Sequence, residues 1–223
     1  MKKTFLFLNL FLSAVLAVLC AVYFINGGIY LKSACSLTFT AVGAVNLIFA
    51  AVSKNKRITF PLLTFLGLLL CTVGDIVLFY NFIFGAVLFV CGHVLYVFAY
   101  CALEKPCVKD AVFIAVISAA SVCVVTLVPA FNYGTAVMEG VAVVYALVIS
   151  FMLGKAVSNL LRKPSAVTTA IALGSVLFFV SDIALAFNIF AGSPSWADPL
   201  CLVTYFPGQL VIAVSLYLYN NSK

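Results

Sequence analysis

GLLLCTVGDIVLFYNFIFG, residues 67–85, and GSVLFFVSDIALAFNIFAG, residues 174–192, stand 107 positions apart and agree at eight of nineteen places without a gap. The agreements are Gly67/Gly174, Leu70/Leu177, Val73/Val180, Asp75/Asp182, Ile76/Ile183, Leu78/Leu185, Asn81/Asn188 and Gly85/Gly192. Each copy holds a single ionisable carboxyl inside an apolar run. In hydrocarbon such a group is costly unless it is paired or faces a polar cavity, so Asp75 and Asp182 are the first candidates for a functional site.

The surroundings of these runs show that they lie in a membrane. Of the 223 residues, 66% are hydrophobic and 8% charged, and the mean hydropathy of +1.28 is far above that of soluble domains. Apolar segments of about 20 residues, the length that crosses a bilayer, fall at 4–24, 29–52, 58–80, 82–103, 110–129, 134–154, 166–188 and 197–219. The expectation is an all-α polytopic membrane protein: eight transmembrane helices in one integral membrane domain over 1–223, with no room for a soluble domain.

Charge sets the orientation. With the N-terminus on the cytoplasmic side, eleven of the twelve basic residues fall on tails or loops of that side: Lys2, Lys3, Lys54, Lys56, Arg57, Lys105, Lys109, Lys155, Arg162, Lys163 and Lys223. Lys32, at the outer start of the second segment, is the exception. Both termini are therefore expected inside, and the net charge of +6 reflects topology, with no case for nucleic-acid binding. Trp196, Tyr23, Tyr30, Tyr80 and Tyr133 fall near the outer interface as an aromatic belt. The first segment exceeds a signal sequence in length and lacks a small-x-small cleavage site, so it is read as a retained helix. The eight cysteines form no C-x-x-C pair or disulfide framework and read as small buried hydrophobes.

The repeat relates the third segment to the seventh, which run in the same direction. Two four-helix halves related by an axis along the membrane normal would produce this. The same offset aligns Lys32 with Glu139.

With loop charges set aside, the ionisable groups at membrane depth are Lys32, Asp75, His93, Glu139 and Asp182. His93 shares a helical face with Tyr96 and Tyr100, and Lys32 with Ser36, Gly43 and Asn46. Tyr205 and Gln209 lie one turn apart around Pro207. Structural alternatives stand beside each: hydrogen bonding across helices for His93 and the tyrosines, and snorkelling to water for Lys32 and Glu139. Two carboxyls facing one site in a low dielectric would supply a general acid and a general base. One histidine is too few for a zinc site, so neither metal nor cofactor is expected. A G-x-S-x-G elbow and a Gly-rich phosphate loop are both lacking.

Taken together, GDIVLF with FIFGAVLFVCGHVLYVFAY, then VYALVISFMLGKAVS, GSVLFFVSDIALAFNIF and TYFPGQLVIAVSL, in this order, resemble the YhhN family of lysoplasmalogenases. In that family an intramembrane Lys is usually followed by Pro, whereas Lys32 precedes Ser33. The resemblance implies a hydrolase that cleaves the vinyl ether of a lysophospholipid substrate within the bilayer, giving a fatty aldehyde and glycerophosphoethanolamine or glycerophosphocholine. It implies Asp75 and Asp182 as the catalytic pair. Lys32, Asn46, His93, Tyr96, Tyr145, Ser181, Asn188, Tyr205 and Gln209 would bind substrate or support the pair, with Lys32 left open between the phosphate, a carboxylate and Glu139. The competing expectation is a small proton-coupled transporter using the same two aspartates. A bacterial cytoplasmic membrane is the expected location.

Overall fold

The structure, a computed structural model, describes residues 1–53 and 57–222. Lys54, Lys56 and Lys223, counted above among the inner charges, lie outside the described residues. Among the described residues there are eight helices and no strand: α1 (Lys2–Asn26), α2 (Ile29–Val52), α3 (Thr59–Tyr80), α4 (Phe82–Leu103), α5 (Val108–Leu127), α6 (Ala136–Arg162), α7 (Ala166–Phe190) and α8 (Ala197–Asn221). All eight are long and apolar enough to cross a membrane. Lipid offers the backbone no hydrogen-bond partners, so each crossing segment closes its own ladder as a helix.

The bounds follow the sequence reading closely except in α6. That helix was expected to end at 154 and continues to Arg162. SNLLR contains no helix breaker, and Lys155, taken as a loop charge, is buried with Asp110 as its partner at 2.7 Å. Lys155 therefore belongs to a helix end buried against α5.

The tightest pairs are α3 with α4 and α7 with α8, and both use glycine at the crossing. A Cβ on Gly92 would stand 2.9 Å from Cys71 Sγ and 3.2 Å from Gly67 O. A Cβ on Gly174 would stand 2.9 Å from Gly208 O. Such close approach is how membrane helices gain dispersion energy in a solvent as apolar as their own side chains. α2 packs on α3 and α8, and α6 packs on α4 and α7. α1 and α5 lie at the periphery, with few buried residues. α1 turns into α2 through Gly27 and Gly28 at φ 63° and 94°, a region that favours glycine.

Polar side chains join the apolar helices at fixed registers. Thr40 and Thr72 hydroxyls meet at 2.6 Å between α2 and α3. Asn9 and Asn46 exchange reciprocal amide hydrogen bonds at 2.8 Å between α1 and α2, and Asn46 also donates to Ala213 O of α8. Of the expected belt, Tyr30, Tyr80 and Trp196 are exposed at helix ends.

Candidate active site

Asp75 lies in α3, five residues before its last residue, Tyr80, and Asp182 lies in α7, eight before Phe190. At 1.5 Å per residue these carboxyls sit roughly 8 and 12 Å from the corresponding helix ends. Neither helix is interrupted at its aspartate.

Asp75 is enclosed, with 2% of its surface exposed. Ser36 of α2 donates to its Oδ2 at 2.5 Å, and Tyr205 of α8 donates to the same oxygen at 2.6 Å. Lys32 Nζ stands 3.2 Å from Oδ1. One ammonium and two hydroxyls thus converge on this group, which is the arrangement a buried carboxylate needs to remain charged. Of the partners left open for Lys32, the structure supplies the aspartate. Glu139 lies instead in the first turn of α6, beside loop residues 129–135.

Asp182 has a different environment. Tyr145 of α6 donates to its Oδ2 at 3.0 Å, and His93 Nε2 of α4 stands 3.8 Å from the same oxygen, too far for a hydrogen bond. His93 is 1% exposed, and its Nε2 makes no hydrogen bond. Its Nδ1 lies 2.6 Å from Phe89 O, which can only accept, so Nδ1 carries the hydrogen. In neutral imidazole the lone pair is then on Nε2, the ring nitrogen 3.8 Å from Asp182 Oδ2.

Among the described residues none hydrogen-bonds to both carboxyls. The two clusters meet through rings. Phe178 stands edge-on to His93 at 4.6 Å and to Tyr205 at 5.3 Å, and Phe89 is edge-on to Phe178 and Tyr205. Asp182 lines a cavity. That cavity, about 280 Å3, lies among α4, α5, α6 and α7, and its walls are apolar except for Asp182, Tyr145, Ser121 and Tyr133.

The other candidate residues divide by location. Tyr96 donates to Gln209 Oε1 at 2.8 Å, joining α4 to α8 beside the clusters and leaving Gln209 Nε2 buried without a partner. Ser181 donates back to Phe178 O of its own helix. Asn188 bonds Ser193 at the exposed end of α7. Asn46 is held by Asn9 and Ala213, ten residues along α2 from Ser36 and away from both aspartates.

A third buried carboxylate, Asp110, had no place among the sequence candidates. It is 4% exposed and accepts from Lys155 at 2.7 Å, Ser158 at 2.5 Å, Arg162 at 3.3 Å and the Cys107 N–H at 2.9 Å. The signal available was its place three residues after Cys107, a capping spacing at the start of an apolar run. Among the described residues no group of three or more His, Cys, Asp or Glu is placed to hold a metal.

Residues 35–216 match the YhhN family. The chain belongs to that family. Lysoplasmalogenase TMEM86A of Bos taurus is 28% identical over 162 residues, 68% of this chain and 63% of the relative. The protein of the same name from Homo sapiens is 27% identical over 158 residues, with the same coverage. The chain thus spans about 63% of the length of the curated relatives it matches. No solved structure matches the chain. Within the YhhN match lie Ser36, Asp75, His93, Tyr145, Asp182 and Tyr205, whereas Lys32 stands three residues before its start.

Proposed function

We propose that this YhhN protein hydrolyses the vinyl ether bond of a lysoplasmalogen within the membrane, releasing a fatty aldehyde and a glycerophospho-ethanolamine or glycerophosphocholine. The observation that carries the proposal is a carboxyl, Asp182, in the wall of an otherwise apolar cavity. It is supported by family membership and by relatives named lysoplasmalogenase.

Asp182 is the acid. Its Oδ2 and the Nε2 lone pair of His93 are two acceptors 3.8 Å apart with no hydrogen bond between them, and a proton carried by the carboxyl relieves their repulsion. That proton passes to the chain carbon of the enol ether, and the ether oxygen stabilises the resulting oxocarbenium ion, as in glycoside hydrolysis. Asp75, charged beside Lys32, is the base that takes a proton from the attacking water through the Tyr205 side of the site. The hemiacetal so formed collapses to aldehyde and alcohol with its hydroxyl proton ending on the leaving oxygen, and exchange with water moves the proton held by Asp75 back to Asp182. The net reaction consumes one water. Tyr145 orients Asp182, and Tyr96 and Gln209 hold the α4–α8 register beside it.

The same reading places both termini in the cytoplasm, on the strength of the basic loops, and the chain in a bacterial cytoplasmic membrane. It also takes the two halves as a parallel repeat. The pairs α3–α4 and α7–α8, α1–α2 and α5–α6, and α2–α8 and α6–α4 correspond under a shift of four helices. Uninterrupted helices at both aspartates do not favour the carrier alternative, which uses broken helices at its sites.

The test is aldehyde release by purified protein in lipid nanodiscs given a lysoplasmalogen. Asp182→Asn and Asp75→Asn should each lower kcat by about 100- to 10,000-fold, the usual contribution of a general acid or base. Wild-type rates in both variants would overturn the assignment.

A further inference from the structure

The two halves of the bundle differ in two close helix approaches. α3 packs against α8 while α7 makes no such close backbone approach to α4, and α1 packs against α8 while α5 makes none to α4 among the described residues. The apolar cavity lies in that gap. Apart from Asp182, its polar wall groups are already engaged. Tyr145 donates to Asp182, Ser121 to Ile117 O and Tyr133 to Val125 O. A ligand in this space therefore meets hydrocarbon everywhere except at one carboxyl.

Size limits what fits. Roughly nine groups of water size, about 30 Å3 each, fill 280 Å3. A methylene is of similar size, so the space suits much of one aliphatic chain and excludes a second. The wall is kept wide by small residues, among them Ala86 of α4 and Ala142 and Ala146 of α6. Phe131 and Tyr133 of loop 128–135 close over α7 by ring contacts with Phe187 and Phe190. α5 packs closely on α6 alone among the described residues, and with this loop over the α7 side the α4–α5 gap is the side turned to lipid.

We infer that this cavity seats the single aliphatic chain of the substrate, entered sideways between α4 and α5, and that Ala142 sets the chain length accepted. The identity of the substrate rests on the vinyl ether reading above, whereas the chain seat does not.

The experiment uses the full chain in nanodiscs with alkenyl lysophospholipids of one head group and graded tail length. Each buried methylene contributes about 0.8 kcal/mol, so KM should fall about fourfold per methylene and level off near nine. Ala142→Phe should move the plateau to shorter tails. Leu147→Phe, on the exposed side of α6 and outside the cavity wall, should leave it where it is. In parallel, thermal stability is measured with saturated ether analogues, which cannot be hydrolysed. The midpoint should rise with tail length to the same plateau and shift in Ala142→Phe, because a ligand bound to the folded state stabilises it. No dependence of the midpoint on tail length, or the same plateau in Ala142→Phe and wild type, would overturn the chain seat. Length-dependent stabilisation without aldehyde release from any tail would leave the seat standing and sink the hydrolase reading.

Discussion

Lys155→Met tests the structure independently of its chemistry. Lys155 and Asp110 are 2% and 4% exposed, and they meet at 2.7 Å where the end of α6 crosses the start of α5. Removing one partner of a buried pair typically costs about 3–5 kcal/mol, because the other charge is left buried. Here Ser158, Arg162 and the Cys107 N–H remain on Asp110, which brings the expected loss to about 2–3 kcal/mol. Asp110→Asn should cost more. It leaves the buried ammonium with only Lys105 O at 3.4 Å and an amide in place of its carboxylate. The double variant should be more stable than the sum of the two losses predicts, by at least about 1 kcal/mol, since an uncharged pair leaves no unpaired charge. Reversible unfolding in mixed detergent micelles, followed by circular dichroism, measures all three. A loss under about 0.5 kcal/mol for Lys155→Met, or simple additivity in the cycle, would refute the buried pair.

Two further perturbations address the packing and the site. Gly174→Ala places a methyl 2.6 Å from Ile212 Cγ1 and 2.9 Å from Gly208 O. It should destabilise by about 1–3 kcal/mol in the same unfolding assay, while Gly140→Ala, with nothing within 4 Å of the new Cβ, should be neutral or slightly stabilising. Tyr145→Phe removes the hydroxyl that donates to Asp182 at 3.0 Å. Aldehyde release should fall by about 10-fold or more, the value of one hydrogen bond to a charged or proton-sharing group, and an unchanged rate would exclude Tyr145 from positioning the acid.

The spans were legible because each is a run of apolar residues of bilayer length, a signal that does not depend on the rest of the chain. Asp75 and Asp182 were legible for the same reason: a lone carboxyl is conspicuous in such a run. Pairing between helices was not legible. Lys32 could have met Glu139, a substrate phosphate or an aspartate, and only the packing of α2 on α3 decides for Asp75. Asn46 shares a helical face with Ser36 but bonds α1 and α8, because ten residues of rise carry it away from the aspartates. Asp110 and Lys155 escaped notice because each lies near a helix end, where a charge reads as solvated. Their burial depends on α6 continuing to Arg162. Phe178, the ring between the two clusters, carries no sequence signal, since a phenylalanine in a membrane helix is ordinary.

Read from the sequence as facing one site, the two aspartates differ in their immediate surroundings. Each carboxyl has its own donors, Asp75 an ammonium and two hydroxyls, Asp182 one hydroxyl and an unpartnered imidazole nitrogen. Environments this different suit different protonation roles, which is how paired carboxyls divide acid and base work.

The central claim, that Asp182 protonates a vinyl ether carbon, is tested most directly by the mass of the aldehyde formed in heavy water. Protonation at carbon predicts an aldehyde carrying one deuterium next to the carbonyl, formed by wild type and formed about 100- to 10,000-fold more slowly in Asp182→Asn. An aldehyde without that deuterium, or an undiminished yield from Asp182→Asn, would contradict it.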